Sequence, residues 1–286
     1  MNTECLVCQA KTVKQIVGKF KPEPRQAKEF FTKADYIITN SKSLSAPYIS
    51  LLLHRLAKKT FATENLYADE KKEANELLYS QYENWQTLVN EAKNPLHLAA
   101  KLSVIGNIID YGAHSVPDDI LAEIETLLKK EFAIDDRCKM FDAINKAKSV
   151  LYIGDNAGEI VFDKLFIETL KHPNLTFVVR DEPIINDVTL QDANSIGLQD
   201  VCTVISNGHD APSTLLENCS ENLQSLFESA DVVISKGQGN FEGLLNEKRV
   251  NLFFLLMTKC DLMANKLGVK KRDLVITENK RGNYGL

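Results

Sequence analysis

The hydrophobic pattern changes period near residue 149. Up to about residue 148 the apolar positions recur at helical spacing. Residues 44–61 carry Ile49, Leu52, Leu53 and Leu56 on one side. Residues 71–92 are charged, with Leu77, Leu78, Trp85 and Leu88 forming a stripe. Pro95 sits where a first helical turn tolerates proline and leads into Leu98, Leu102, Ile105 and Ile109. Pro117-Asp118 opens another helix, and residues 137–148 form a last short one.

From Ser149 onward, short β-branched runs alternate with amphipathic segments. Strands are predicted at 150–153, 176–179, 202–205, 232–234, 252–255 and 274–276. Helices fit between them at 159–170, 187–196, 221–228, 241–246 and 260–267. This alternation predicts a mostly parallel sheet with helices on both faces, an α/β class fold. The chain therefore divides, on pattern, into a helical subdomain at 1–148 and an α/β/α domain at 149–286.

Open sheets of this class bind ligands beyond the carboxyl ends of strands, where strand order reverses. In a Rossmann-like order the reversal falls between the first and fourth strands of the second half. The loops there are Asp155-Asn156-Ala157-Gly158-Glu159 and Ser235-Lys236-Gly237-Gln238-Gly239-Asn240. These polar, glycine-containing strand ends would then face each other.

Asp155 and Asn156 put two adjacent oxygen donors on a tight turn, which suits a hard cation. The plain alternative is a helix cap with an acidic neighbour. Asp187 follows the second strand of that half and offers a third oxygen to the same cation, although Asn186 or Asp187 also fits a helix cap. In Lys236-Gly237-Gln238-Gly239-Asn240, glycines let backbone N–H groups approach an anion at a helix start. The segment lacks the longer Gly-Lys-Ser/Thr loop of nucleotide hydrolases, and no Gly-x-Gly-x-x-Gly turn follows the first strand. Lys259, after the fifth strand, offers a second phosphate-binding cation or a solvated surface charge. Asn107 and Asp110 lie three apart on an otherwise apolar helix, turned to the cleft or pairing locally.

Composition narrows the classes. The chain has 286 residues with ordinary apolar (44%) and charged (26%) fractions, and its net charge is -5, against a nucleic-acid footprint. No run approaches the roughly 18 to 20 apolar residues of a spanning helix. The N-terminus shows no basic region before an apolar core, so a cytoplasmic location with no membrane partner is expected. Six scattered cysteines make no disulfide framework. Cys5 and Cys8 have the spacing of half a zinc site, but fit better as half-buried thiols on an amphipathic helix.

Together these segments resemble the metal-dependent damage-control phosphatase family. The resemblance rests on Cys5-x-x-Cys8, Gly106-Asn107-x-x-Asp110, Asp155-Asn156-Ala157-Gly158-Glu159 and Pro183 with Asn186-Asp187-x-Thr189. It continues through Lys236-Gly237-Gln238-Gly239-Asn240-Phe241-Glu242 and Lys259-Cys260. The paired cysteines resemble its prokaryotic-type branch. The resemblance implies a three-layer α/β/α sandwich with a Rossmann-like sheet and an N-terminal helical subdomain. It further implies a phosphatase that needs a divalent metal (Mn, Ni, Co or Mg) and acts on small phosphorylated metabolites, sugar phosphates or damaged cofactor intermediates.

Carried over by position, Asp155, Asn156 and Asp187 hold the metal. Gln238, Gly239, Asn240 and Lys259 meet the substrate, and Lys236 sits at the phosphate. Gly239 departs from the larger residue often found there. Asp155 is a possible nucleophile, and Glu159 or Asp187 a possible helper of an attacking water. Two rival readings stand beside this one: a protein carboxyl methyltransferase using S-adenosylmethionine, and a non-catalytic metal- or metabolite-binding protein. Oligomeric state is not legible.

Overall fold

The computed structural model describes residues 3–41, 43–109 and 117–284. Seven helices come first: α1 (Thr3–Phe20), α2 (Pro24–Asn40), α3 (Ala46–Phe61), α4 (Ala68–Tyr79), α5 (Tyr82–Glu91), α6 (Pro95–Ile105) and α7 (Ile120–Leu128). Strand β1 (Phe132–Asp135) and α8 (Arg137–Lys146) follow. Then come β2 (Val150–Ile153), α9 (Glu159–Leu170), β3 (Leu175–Val179), α10 (Leu190–Ser195), β4 (Thr203–Ser206) and α11 (Glu221–Ser229). The chain ends through β5 (Val232–Lys236), α12 (Gly237–Leu244), β6 (Leu252–Met257), α13 (Asp261–Leu267) and β7 (Leu274–Glu278).

The sheet order is β1-β7-β6-β5-β2-β3-β4. Strands β6, β5, β2, β3 and β4 pair in parallel, whereas β7 runs antiparallel to β6 and carries β1 parallel to itself. From β2 onward this is the expected Rossmann-like order, with β2 beside β5 at the reversal. Residues alternate between faces. Val150, Tyr152, Phe177, Val232 and Ile234 join one apolar layer with the helices of residues 74–198. Leu151, Ile153, Val178 and Val233 join the other, with α11 to α13. Strands buried on both faces read as continuous apolar runs, as β2 and β6 do.

Packing crosses the expected boundary at residue 148. Phe132–Asp135 is a sheet strand inside the supposedly all-helical half. Helix α6 supplies Ala99, Leu102 and Ile105 to the same core as Phe162 and Phe166 of α9. These helices are a layer of the sandwich. A separate apolar core belongs to α1–α3, through Val13, Ile16, Phe30, Ala34, Ile49 and Leu53. Two further expectations shift. The 71–92 helix breaks at Ser80-Gln81 into α4 and α5. The helix expected from Asp187 starts at Leu190 instead, because Thr189 and Asp192 form a reciprocal capping box.

His54 lies in the α1–α3 bundle, fully buried, with Nδ1 bonded to the Ser50 carbonyl at 2.8 Å and Nε2 without a partner among the described residues. Burial lowers its pKa from 6.5 to about 4. The folded state therefore resists protonation that the unfolded chain accepts. The stabilisation is full above 6.5 and is lost as pH falls toward 4. Between pH 7 and pH 5 the wild type is expected to lose about 2 kcal/mol more than His54→Phe, measured by urea unfolding.

Candidate active site

Strand β2 ends at Gly154, and the next residues pair across to the loop after β3. The Val188 N–H donates to the Asp155 carbonyl and the Ala157 N–H to the Asn186 carbonyl, both at 2.8 Å. Asn156 and Asp187 face each other as an isolated antiparallel bridge. The three expected oxygen donors thus share one strand-end corner, with Asp187 extended rather than capping a helix. In the same loop Ile185 sits at φ 45°, a strained conformation for a β-branched residue, and packs against the α1–α3 core.

Amide groups fix the carboxylates. Asn107 Nδ2 donates to Asp155 Oδ2 and to Glu159 Oε2, both at 2.9 Å. Asn156 Nδ2 donates to the same two oxygens at 2.8 and 3.0 Å. Arg180 lies wholly buried behind Asp187 and donates Nε to its Oδ2 at 2.7 Å. Asn75 Oδ1 accepts the Gly158 N–H at 2.6 Å, holding the turn from the α4 side. Gly237, at φ 76°, closes the corner: a Cβ there would lie 1.8 Å from Asp155 Oδ2.

Asp155, Asn156, Asp187, Gln238, Gly239 and Lys259 all line one cavity of about 180 Å³. Its far wall comes from α1 and α3, through residues such as Cys5, Cys8, Gln9 and Ser50. The two thiols are half-buried, as their place on an amphipathic helix predicts. Gly239 is explained by its surroundings, since a Cβ would meet the Pro212 carbonyl oxygen at 2.6 Å.

Three expected site residues lie elsewhere. Lys236 does not reach this cavity. Its ammonium is fully buried and donates to Glu159 Oε1 and Asp163 Oδ1, each at 2.5 Å, and to the Ser103 carbonyl at 2.9 Å. Those bonds use its three protons. Burial works against that charge, yet the carboxylates of Asp163 and Glu159 raise its pKa. Glu159 is likewise fully buried and bonded to Lys236, Asn107 and Asn156, away from the cavity lining. Asn240 is also buried. It bonds Arg180 and Thr214 through Oδ1, and the Gly154 and Lys236 carbonyls through Nδ2, so it ties β2 to β5.

Asn107 was legible as a polar residue on an apolar face. Arg180 and Asp163 were not assigned, although a charged residue directly after a buried strand, and an acid inside a buried helix, are usable signals. Asp110 lies outside the described residues.

The donors at the corner are all oxygen. Burial, then the charges of Glu159 and Asp187, push the Asp155 carboxyl well above the usual carboxylate range. A cation between Asp155 and Asp187 relieves that repulsion, so the residues fit a hard divalent metal. Among the described residues no three Asp, Glu, His or Cys side chains group as a metal cage, so the set depends on the Asn156 amide oxygen.

Known proteins resemble this chain across most of their length. The damage-control phosphatase PH1575 of Pyrococcus horikoshii is 32% identical over 283 residues, covering 97% of each chain. A damage-control phosphatase of Archaeoglobus fulgidus is 30% identical over 243 residues, covering 82% of this chain and 83% of that protein. The crystal structure of the DUF89 family protein PH1575 superposes with a TM-score of 0.88 at 30% identity, over 98% of this chain and 99% of that one. Residues 1–275 match the damage-control phosphatase ARMT1-like domain. With the fold and the full-length likeness in agreement, the chain belongs to the ARMT1-like (DUF89) damage-control phosphatase family.

Proposed function

We propose that this chain is a divalent-metal-dependent phosphatase acting on small phosphorylated metabolites. The observation that carries the reading is the joining of Asp155, Asn156 and Asp187 with Lys259 in one cavity. The two carboxylates and the amide would hold Mn, Ni, Co or Mg. Such an ion polarises a phosphoryl oxygen and acidifies bound water. Lys259 would neutralise phosphate charge, held in place by the Gln238 Oε1 bond to its backbone N–H at 2.9 Å. Gln238 and Gly239 belong to the first turn of α12, whose unpaired N–H groups favour an anion.

With Glu159 bound to Lys236, the acids at the metal corner that would attack or take a proton are Asp155 and Asp187. No described helix is long and apolar enough to cross a membrane, and the proposed partner is a small molecule.

The test is hydrolysis of p-nitrophenyl phosphate with Mn, Co, Ni or Mg, before and after chelation. Turnover that needs the metal supports the proposal. Metal binding without turnover contradicts it and favours a binding protein. Gly237→Ala is expected to lower kcat/KM about a hundredfold, because the added methyl must displace Asp155 or the start of α12. Assay of the folded variant over a metal titration checks this.

A further inference from the structure

The charges that line the cavity are unequal. Among its described lining residues the acids are Glu4, Asp155, Asp187 and Glu242, and the cation is Lys259. Arg180 is turned away, bonded to Asp187, Asn240 and Thr214. Lys236 is spent on Glu159 and Asp163. On the proposed reading, the metal and Lys259 are used by Asp155, Asp187 and one phosphate dianion. Among the described residues no lining cation remains for a second anionic group.

Glu242 stands out within this imbalance. Helix α12 places it one turn after Gln238, on the same face. Gln238 Nε2 donates to Glu242 Oε1 at 3.0 Å and also contacts Cys260 Sγ at 3.4 Å, while Gln238 Oε1 holds the Lys259 N–H. The acid is thus fixed on the chain of contacts that leads to the phosphate-side lysine. A positive charge that acts on it, that of Lys266, lies outside the cavity lining.

We infer that Glu242 is a specificity residue: it admits phosphomonoesters whose remainder is uncharged and hydroxylated, and it rejects those carrying a second anionic group. This rests on the phosphatase reading above and narrows its substrate class. A carboxylate accepts hydrogen bonds from hydroxyl groups and repels another carboxylate in a site of low dielectric. Burial raises the Glu242 carboxyl to about 7, with the Gln238 bond and Lys266 opposing, so it is mostly ionised at pH 8.

The matched probes are glycerol 3-phosphate and 3-phosphoglycerate, which differ by a terminal CH₂OH against a carboxylate. At pH 8 with Mn, the wild type is expected to favour glycerol 3-phosphate on the order of tenfold in kcat/KM. Glu242→Gln keeps the shape and an amide partner for Gln238, and is expected to collapse that ratio toward one. The ratio is internal to each protein, so partial loss of activity cancels. Calorimetric affinities of the same two compounds for the metal-loaded protein provide a second readout. Hydrolysis of both at equal efficiency, equal binding, or an unchanged ratio in Glu242→Gln overturns the inference and leaves the phosphatase reading standing. Preferential binding of glycerol 3-phosphate without hydrolysis of either supports the inference and overturns the phosphatase reading.

Discussion

Asp155→Asn is expected to remove hydrolysis and metal binding together while leaving the metal-free fold intact. The loss in kcat/KM should be on the order of a thousandfold or more, because the carboxylate is a proposed ligand at the reacting centre. Stability should move the other way. The wild-type carboxylate is buried beside Glu159 and Asp187, and both charges oppose its ionisation. Its Oδ2 accepts from Asn107 and Asn156. Without metal, the amide replacement removes repulsion and raises the melting temperature. With metal, the wild type gains stability by mass action and the variant does not. A thermal-shift series over Mn concentration separates the two: a rising curve for wild type and a flat, initially higher one for Asp155→Asn. A variant that melts lower without metal and still responds to Mn contradicts the assignment.

Lys236→Met carries the second large effect, and it separates two roles for this lysine. At a phosphate, its loss would cost turnover and little stability. Buried between Glu159 and Asp163, its loss strands two acids. Breaking a buried ion pair on one side costs about 3–5 kcal/mol. The surroundings make this severe. Asp163 Oδ1 also accepts from Tyr152 Oη at 2.8 Å and Ser103 Oγ at 2.7 Å, while Oδ2 has no partner among the described residues. Urea unfolding should show the loss at neutral pH. The triple variant Lys236→Met, Glu159→Gln, Asp163→Asn should recover part of it, since the stranded charges are gone. Wild-type stability in Lys236→Met contradicts the buried-network role.

Much of the sandwich was readable because its strands are buried on both faces. Residues 150–153 form a continuous apolar run, and the sequence boundary matches the observed strand. Strand β1 was not readable. It is four residues long at the sheet edge, and its alternately half-buried and exposed positions resemble a loop. The packing across residue 148 was hidden for a related reason. An amphipathic helix does not reveal what covers its apolar face, and α6 packs on α9 and the sheet of the second half as well as on its neighbours α5 and α7.

The corner itself was legible, since Asp155, Asn156 and Asp187 follow adjacent strands whose order could be reasoned. Lys236 was not, although its partners left a sign. Glu159 and Asp163 lie four apart on the buried helix α9, and paired acids in such a place require a cation. That the cation is Lys236, more than 70 residues away, is settled by packing.

The central claim is that Asp155, Asn156 and Asp187 together hold one divalent ion beside Lys259. Crystals soaked in Mn and measured at a wavelength where Mn scatters anomalously test it directly. One strong peak is predicted within bonding distance of oxygens from all three residues, absent from crystals of active-site variant Asp155→Asn. A peak seated instead on Cys5, Cys8 and Cys260, or full hydrolysis by protein whose corner shows no peak, would contradict it.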